Sequence, residues 1–293
     1  MSGQSSMVSA DAPSSSPARR EGQITVLGLR TRLIESGPPR RREVVLFVHG
    51  MPGSALDWGP VQEAVGEIAP TISFDMPGFG VAHKPRDTEY SFSAAAVFIA
   101  ALLDALEVER VHLVAHDSGG VAGLVWAAAH PRAFLDATLL STGVFVGYRW
   151  HPVAKAMRIP LVGEALGLLT TRRSFERGMH DMASRLPQSA LDRIWSHFDH
   201  GTRRAMRRSY RASPPSAMER LVPTFRDLDR PALVIWGRND TATPEEQAAR
   251  QKLSFPSASI STLDCGHWPH LERPDEVISL VTPFLAEQII GGR

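Results

Sequence analysis

The sequence predicts an α/β fold: a mostly parallel central sheet flanked by helices, with a helical cap inserted into it. Three observations carry this expectation. Short apolar runs alternate with helix-length segments from Gln23 to Leu140, and the alternation resumes at Ala232. One run, Glu43-Val44-Val45-Leu46-Phe47-Val48, is apolar almost throughout, which suits a strand covered on both faces. Between Val144 and Phe225 the alternation stops, and helix-like stretches broken by Pro152, Pro160, Pro187, Pro214 and Pro215 replace it.

Taken in order, Gln23 to Leu27 and Arg32 to Glu35 read as a hairpin with Gly28 in its turn, and Gly37-Pro38-Pro39 as a further turn. The strand from Glu43 ends at His49-Gly50-Met51-Pro52-Gly53, and a helix is expected over Asp57 to Ile68. Thr71 to Phe74 is a short strand ending at Asp75-Met76-Pro77-Gly78-Phe79-Gly80. Ser91 to Leu106 has helical spacing. The run Val111 to Ala115 then enters a tight turn, His116-Asp117-Ser118-Gly119-Gly120, followed by a helix over Val121 to Ala129. Ala137 to Leu140 is the next strand. After the inserted segment come a strand at Ala232 to Trp236, a helix at Pro244 to Lys252, a strand near Ile260 to Leu263 and a last helix over Asp275 to Gln288. The expected division is a disordered tail over residues 1–22, a core of 23–143 and 226–293, and a cap of 144–225. Inserted at the carboxyl end of a strand, the cap is placed to cover a site there.

Composition narrows the function. A net charge of +1 gives no global case for nucleic-acid binding. One cysteine, Cys265, excludes an internal disulfide framework, and its place suits packing. No apolar stretch reaches the ~18 residues of a membrane span. The tail holds no apolar run of a secretory signal, so a cytoplasmic location is the default expectation. Metal-ligand spacing and phosphate-binding glycine loops are both missing, so no cofactor is expected. The cap carries 14 Lys/Arg and 6 Asp/Glu, a net +8, against −7 for the rest. Arg203, Arg204, Arg207, Arg208 and Arg211 read mostly as a solvated helix face, with Arg203 and Arg207 on the side of Tyr210.

The strand, sharp turn and helix around residue 117 would lift one side chain above the sheet edge as a nucleophile elbow. Either Asp117 or Ser118 could sit at its tip. The position two before the nucleophile must be small, because backbone meets backbone there. Ala115 satisfies this for Asp117, with Gly119 two residues after it, whereas His116 would be too bulky for Ser118. Asp117 is therefore the expected nucleophile.

His49-Gly50-Met51-Pro52, Asp75-Met76-Pro77-Gly78-Phe79-Gly80, the elbow, Gly237-Arg238-Asn239-Asp240 and Cys265-Gly266-His267-Trp268-Pro269-His270 occur in that order. Together they resemble the α/β-hydrolase superfamily from Gln23 to the C-terminus. An aspartate in the elbow is similar to the branch of epoxide hydrolases and haloalkane dehalogenases. The resemblance implies His267 as general base and Asp240 as the acid that orients it. The alternative acid position, Leu140-Ser141-Thr142-Gly143, holds no carboxylate. It also implies an oxyanion hole from the main-chain N–H groups of Met51 and Ser118. His49 is expected to brace its loop and, with Pro52 and Trp150, to belong to the binding site. His270 is expected at the surface or just behind the site.

The implied chemistry is displacement at saturated carbon by Asp117, then hydrolysis of the alkyl ester by water activated at His267. The resemblance supplies the leaving-group donors of an epoxide hydrolase as cap tyrosines. Tyr210 stands 30 residues before Asp240 in a spacing like the family's, and Tyr148 is the candidate for the second phenol. Dehalogenases commonly have a Trp after the nucleophile and many have an Asn after His-Gly; here Ser118 and Met51 stand there, and the Arg of fluoroacetate-type enzymes is absent too. Trp150 and Trp195 remain as halide donors or as cap packing. The expectation is an epoxide hydrolase for a small, largely apolar substrate, with a homodimer as one possible assembly. The alternatives are a dehalogenase-like hydrolase, an ester or lactone hydrolase acting through Ser118, and a ligand-binding protein without catalysis.

Overall fold

The computed structural model describes residues 19–39 and 42–291. Among these, one eight-stranded sheet runs in the order β1-β2-β4-β3-β5-β6-β7-β8. The strands are β1 (Arg20–Val26), β2 (Leu29–Ser36), β3 (Glu43–Val48), β4 (Thr71–Phe74), β5 (Arg110–His116), β6 (Phe134–Leu140), β7 (Ala232–Gly237) and β8 (Ser259–Leu263). The β1–β2 hairpin pairs antiparallel, β2 joins β4 antiparallel, and every pairing from β4 through β8 is parallel. The expected tail needs correction at its end, because Arg20, Glu21 and Gly22 pair with Glu35, Ile34 and Leu33. Most of that expected tail, residues 1–18, lies outside the described residues.

The continuous apolar run of β3 serves two cores. Val45 and Phe47 face one side, where Trp58 and Val65 of the segment before β4 meet Val277, Val281 and Leu285 of the last helix. Val44, Leu46 and Val48 face the other, with Leu102, Val121 and Leu124. All five of these β3 side chains are at most 1 % exposed, and each such burial contributes about 1.5–3 kcal/mol. The helices α1 (Gly59–Gly66), α2 (Phe92–Ala105) and α3 (Asp117–Ala129) complete the first half. The expected helix from Asp57 divides into a 3₁₀ turn, Ala55–Trp58, and α1, where Pro60 suits the first turn. Ser91 caps α2 by accepting from the Ala94 N–H. Helix α3 starts at Asp117, earlier than expected, because the elbow turn is itself its first turn.

The inserted segment forms α4 (Pro152–Arg158), α5 (Val162–Leu169), α6 (Arg172–Met182), α7 (Gln188–His197), α8 (His200–Ala212), α9 (Ser216–Glu219) and α10 (Val222–Leu228). The expected cut after Phe225 falls inside α10, whose end is set by Asp229 in the left-handed region at φ 43°. The remaining helices are α11 (Glu246–Arg250), α12 (Pro269–Glu272) and α13 (Pro274–Gly291). The arginines of α8 are not the solvated face expected. Arg204 and Arg208 donate to the carbonyls of Lys84 and Arg86, and Arg203 and Arg211 to carbonyls within the cap. They satisfy backbone oxygens at the cap–core seam and inside the cap, which their forked donor geometry allows.

Candidate active site

The carboxyl ends of β3, β5, β7 and β8 bring His49, Asp117, Asp240 and His267 to one edge of the sheet. Asp117 has φ 45°, a left-handed conformation that costs a non-glycine residue about 1–3 kcal/mol. Tight surroundings impose it. A Cβ on Gly119 would lie 2.2 Å from the His49 carbonyl oxygen and 2.6 Å from that of Val48, so glycine alone allows α3 this close to β3. The Thr142 hydroxyl donates to the Asp117 carbonyl at 2.6 Å. Ala115 is completely buried beneath the turn, while the Asp117 side chain keeps 21 % of its surface exposed. Ser118 follows inside α3 with its Oγ buried and unpartnered.

His267 lies between two carboxylates. Its Nδ1–H donates to Asp240 Oδ2 at 2.8 Å, and its Nε2 lies 3.6 Å from Asp117 Oδ1. Asp240 is itself held by three donors: the N–H groups of Ala242 and Thr243 at 2.9 and 2.8 Å, and the Thr243 hydroxyl at 2.6 Å. Burial works against charge on all three groups, yet their mutual attraction prevails. Burial lowers the His267 imidazolium's pKa, but the Asp240 charge and hydrogen bond and the nearby Asp117 carboxylate lift it to about 10. Burial raises Asp117, but the His267 imidazolium 3.6 Å away, then His116 and the Met51 N–H, bring it well below the usual carboxylate range. Asp240 is likewise lowered against its burial, by His267 and then Thr243. The resting arrangement is an imidazolium bracketed by two carboxylates.

Donors for negative charge surround Asp117. The Met51 N–H donates to its Oδ2 at 3.0 Å. The Ser118 N–H belongs to the first turn of α3, which offers no intrahelical acceptor. His49 spans two loops, donating Nδ1–H to the Gly50 carbonyl at 2.7 Å and accepting at Nε2 from the Met76 N–H at 2.9 Å. Both ring nitrogens are thereby engaged in holding the loop that carries Met51.

A cavity of about 70 Å³ lies over Asp117, and Tyr148, Trp150, His151 and Tyr210 from the inserted segment line it together with Pro52. Tyr210 is 5 % exposed; burial and then the Asp117 charge raise its phenol well above the ordinary value, so it stays protonated. Its hydroxyl lies 3.4 Å from His151 Nε2. Tyr148 donates its hydroxyl to the Ala242 carbonyl at 2.9 Å. Trp150 stands edge-on between the two tyrosine rings at 5.6 and 5.0 Å, with its indole N–H buried and unpartnered. Trp195 packs instead on Phe175 at 5.2 Å, inside the cap. A second, largely apolar chamber of about 350 Å³ adjoins the first and shares Met51, Phe92 and Ser118 with it.

Several neighbours were not singled out from sequence. His116 bonds through Nε2 to the His267 carbonyl at 2.7 Å; burial and then His267 lower it to about 4, so it is neutral and donates. His151 is lowered to about 4, by burial and then His267. Met182 of α6 accepts from the His267 N–H at 2.9 Å, tying the histidine loop to the cap. Thr243 had a usable signal: an Asp followed three residues later by a threonine is a turn in which the side chains cap the backbone. His151 had none, since only folding sets it beside Tyr210. His270 is not at the surface: it is 1 % exposed, stacked on Trp58 at 4.4 Å and 4.7 Å from His116. Cys265 is buried, and the described residues form no group of His, Cys, Asp and Glu able to hold a metal ion. No helix among them is long and apolar enough to cross a membrane.

Comparison with known proteins agrees with this architecture. A model of the alpha/beta hydrolase fold matches residues 43–274. The 2-hydroxymuconate semialdehyde hydrolase of Pseudomonas sp. (strain CF600) is 28 % identical over 94 % of this chain and 97 % of its own. The 2-hydroxy-6-oxo-2,4-heptadienoate hydrolase of Pseudomonas putida is 26 % identical over 89 % and 94 %. Among solved structures, a putative epoxide hydrolase from Pseudomonas aeruginosa superposes with a TM-score of 0.78 at 20 % identity, covering 97 % of this chain and all of the other. A haloalkane dehalogenase loop variant from Bradyrhizobium elkanii gives 0.77 at 21 % identity, covering 94 % and 99 %. These likenesses in structure concern the fold. With a family model spanning most of its length and the sheet order and site edge described above, the chain belongs to the α/β-hydrolase family and is a hydrolase of that fold.

Proposed function

We propose that this hydrolase opens epoxides to vicinal diols through an ester on Asp117. The observation that carries the reading is the residue at the elbow tip. It is a carboxylate whose pKa lies well below the usual range, 3.6 Å from a histidine, in one small cavity that Tyr210 also lines. A carboxylate is a weak acyl-transfer nucleophile but displaces a leaving group at saturated carbon.

In the first step a carboxylate oxygen of Asp117 bonds to an epoxide carbon, the C–O bond breaks, and the alkoxide takes the Tyr210 proton. Esterification removes the Asp117 charge, so His267 loses one of the two partners that hold its proton. That proton replaces the one Tyr210 gave. Neutral His267 then takes a proton from water, and hydroxide adds to the Asp117 carbonyl carbon. The oxyanion meets the N–H groups of Met51 and Ser118. Collapse releases the diol with the second water proton and restores the Asp117 carboxylate beside protonated His267. Tyr148 donates to the Ala242 carbonyl, and His151 Nε2 is the polar atom beside the Tyr210 hydroxyl. The adjoining apolar chamber suits a largely apolar substrate.

A second reading rests on Trp150. Its N–H is buried and unpartnered, its ring lines the same cavity, and such a donor is of the kind that would hold a departing halide. The deciding experiment is intact-mass and peptide analysis of His267→Gln after exposure to a panel of epoxides, alkyl halides and aryl esters. The two dienoic substrates named for the relatives complete the panel. An alkyl adduct on Asp117 from an epoxide supports the reading. An adduct from halides alone moves it to dehalogenation. An adduct on Ser118, or turnover by the wild type without any Asp117 adduct, overturns it. Saturable binding without turnover would identify a ligand-binding protein.

A further inference from the structure

Helix α5 is inside out. Its two glycines, Gly163 and Gly167, are buried, while Val162, Leu166, Leu168 and Leu169 face water. A surface helix of a folded protein does the reverse. A Cβ on Gly163 would lie 2.4 Å from the Met157 carbonyl oxygen and 2.9 Å from the Arg207 side chain, so α5 is pressed against α4 and α8. The contact is fastened from α8. Arg203 donates to the Gly167 carbonyl at 2.7 Å, and Arg207 and Arg211 pair with Glu164 at 3.0 and 2.8 Å. The apolar side chains are thus held outward by a fixed backbone. Leu161, at the tip between α4 and α5, is 81 % exposed with φ 68°; Leu168 and Leu169 are 68 % and 76 % exposed. Ile159, two residues before Leu161, is 52 % exposed as well. So many exposed apolar side chains on one short helix and the turn leading into it point to a docking surface.

An open basin lies beside the ridge. Its charged lining residues are Arg149, Lys155 and Arg158; no carboxylate lines it among the described residues. Ile159 and Pro160 join basin to ridge, and its inner wall, Tyr148 and Trp150, is shared with the cavity over Asp117. Apolar ridge and cationic basin together are complementary to one kind of partner. We propose that this face of the cap docks on an anionic lipid bilayer, with the α4–α5 ridge entering the acyl boundary and the basin taking phosphate-bearing headgroups. A second copy of the chain fits less well. Ridge-to-ridge pairing would appose two caps that each carry 14 basic and 6 acidic residues. The inference is independent of the reaction at Asp117.

Cosedimentation of the full chain with large vesicles tests it. One set is phosphatidylcholine alone, and the other contains about one quarter phosphatidylglycerol. Binding to the anionic set should be at least about tenfold stronger and should weaken as salt is raised. Combined Leu161→Asp, Leu168→Asp and Leu169→Asp should reduce binding at least about tenfold, with an unchanged or higher melting temperature, because these side chains meet solvent. Lys155→Glu should reduce the preference for anionic vesicles. Absence of binding to either set overturns the proposal. So does a stable dimer at micromolar concentration that the triple aspartate variant dissociates, because a second copy would then own the ridge.

Discussion

The main-chain N–H of Met51 donates to Oδ2 of Asp117 at 3.0 Å. Two loops that are 66 residues apart in sequence thus meet through a backbone donor, so the Met51 side chain is dispensable there. Met51→Leu should retain activity within about tenfold, whereas Asp117→Asn should lose at least about 10³-fold. Asparagine keeps an oxygen for the Met51 N–H but not the charge that attracts the His267 imidazolium, so its melting temperature should fall below wild type. Parallel steady-state rates and thermal melts check both.

Asp240 orients His267 and shares its charge, with its own oxygens fixed by Ala242 and Thr243. Asp240→Asn should slow turnover by about 10⁴-fold, mainly in hydrolysis of the ester. Rapid-quench mass spectrometry should find the Asp117 adduct accumulating; a variant that turns over at the wild-type rate would remove Asp240 from the mechanism.

The two cap tyrosines should separate. Tyr210→Phe should slow epoxide opening at least about 10²-fold and leave alkyl-halide turnover within a few fold. Tyr148→Phe leaves the Ala242 carbonyl without its 2.9 Å donor, so its main effect should be a loss of about 1–3 kcal/mol of stability in urea unfolding. The reverse pattern would exchange their roles.

His267 also links stability to pH. Its pKa rises from 6.5 to about 10 on folding, so the native state holds a proton that the unfolded chain releases across that window. The stabilisation is complete below pH 6.5 and is lost as pH climbs through about 10. The stability advantage of wild type over His267→Gln should therefore narrow steadily from pH 6.5 to about 10 in urea titrations.

Gly119→Ala should cost more than about 4 kcal/mol, because its new Cβ would meet the carbonyl oxygens of Val48 and His49 rather than a yielding side chain. A near-native unfolding midpoint would mean that α3 can shift away from β3.

Much of the fold was legible because its signals are local. The apolar run of β3, Ser91 before α2 and the Ala115/Gly119 flanks of Asp117 each state a steric or solvation requirement within a few residues. Asp117 could be chosen over Ser118 on that basis, and its positive φ accords with a turn of that shape. The helix starts moved by a few residues wherever a turn merged with a helix, as at Asp117 and Trp58.

The contacts that decide side-chain employment were not local. Spacing alone set Tyr210 ahead of Tyr148 in sequence; only the packing of this segment on the core commits the Tyr148 hydroxyl to Ala242 and leaves that of Tyr210 beside His151. Arg204 and Arg208 of α8 read as part of a solvated face because their acceptors are carbonyls more than 100 residues away, at Lys84 and Arg86. His270 looked peripheral until Trp58 and His116 closed over it. The sequence by itself determined the alternation of strands and helices and its interruption by a helical segment, since pattern and sterics act along the chain. The tertiary structure alone decided which donors and acceptors pair and which apolar face stays uncovered, because hydrogen bonds and burial form between segments whose approach no local pattern encodes.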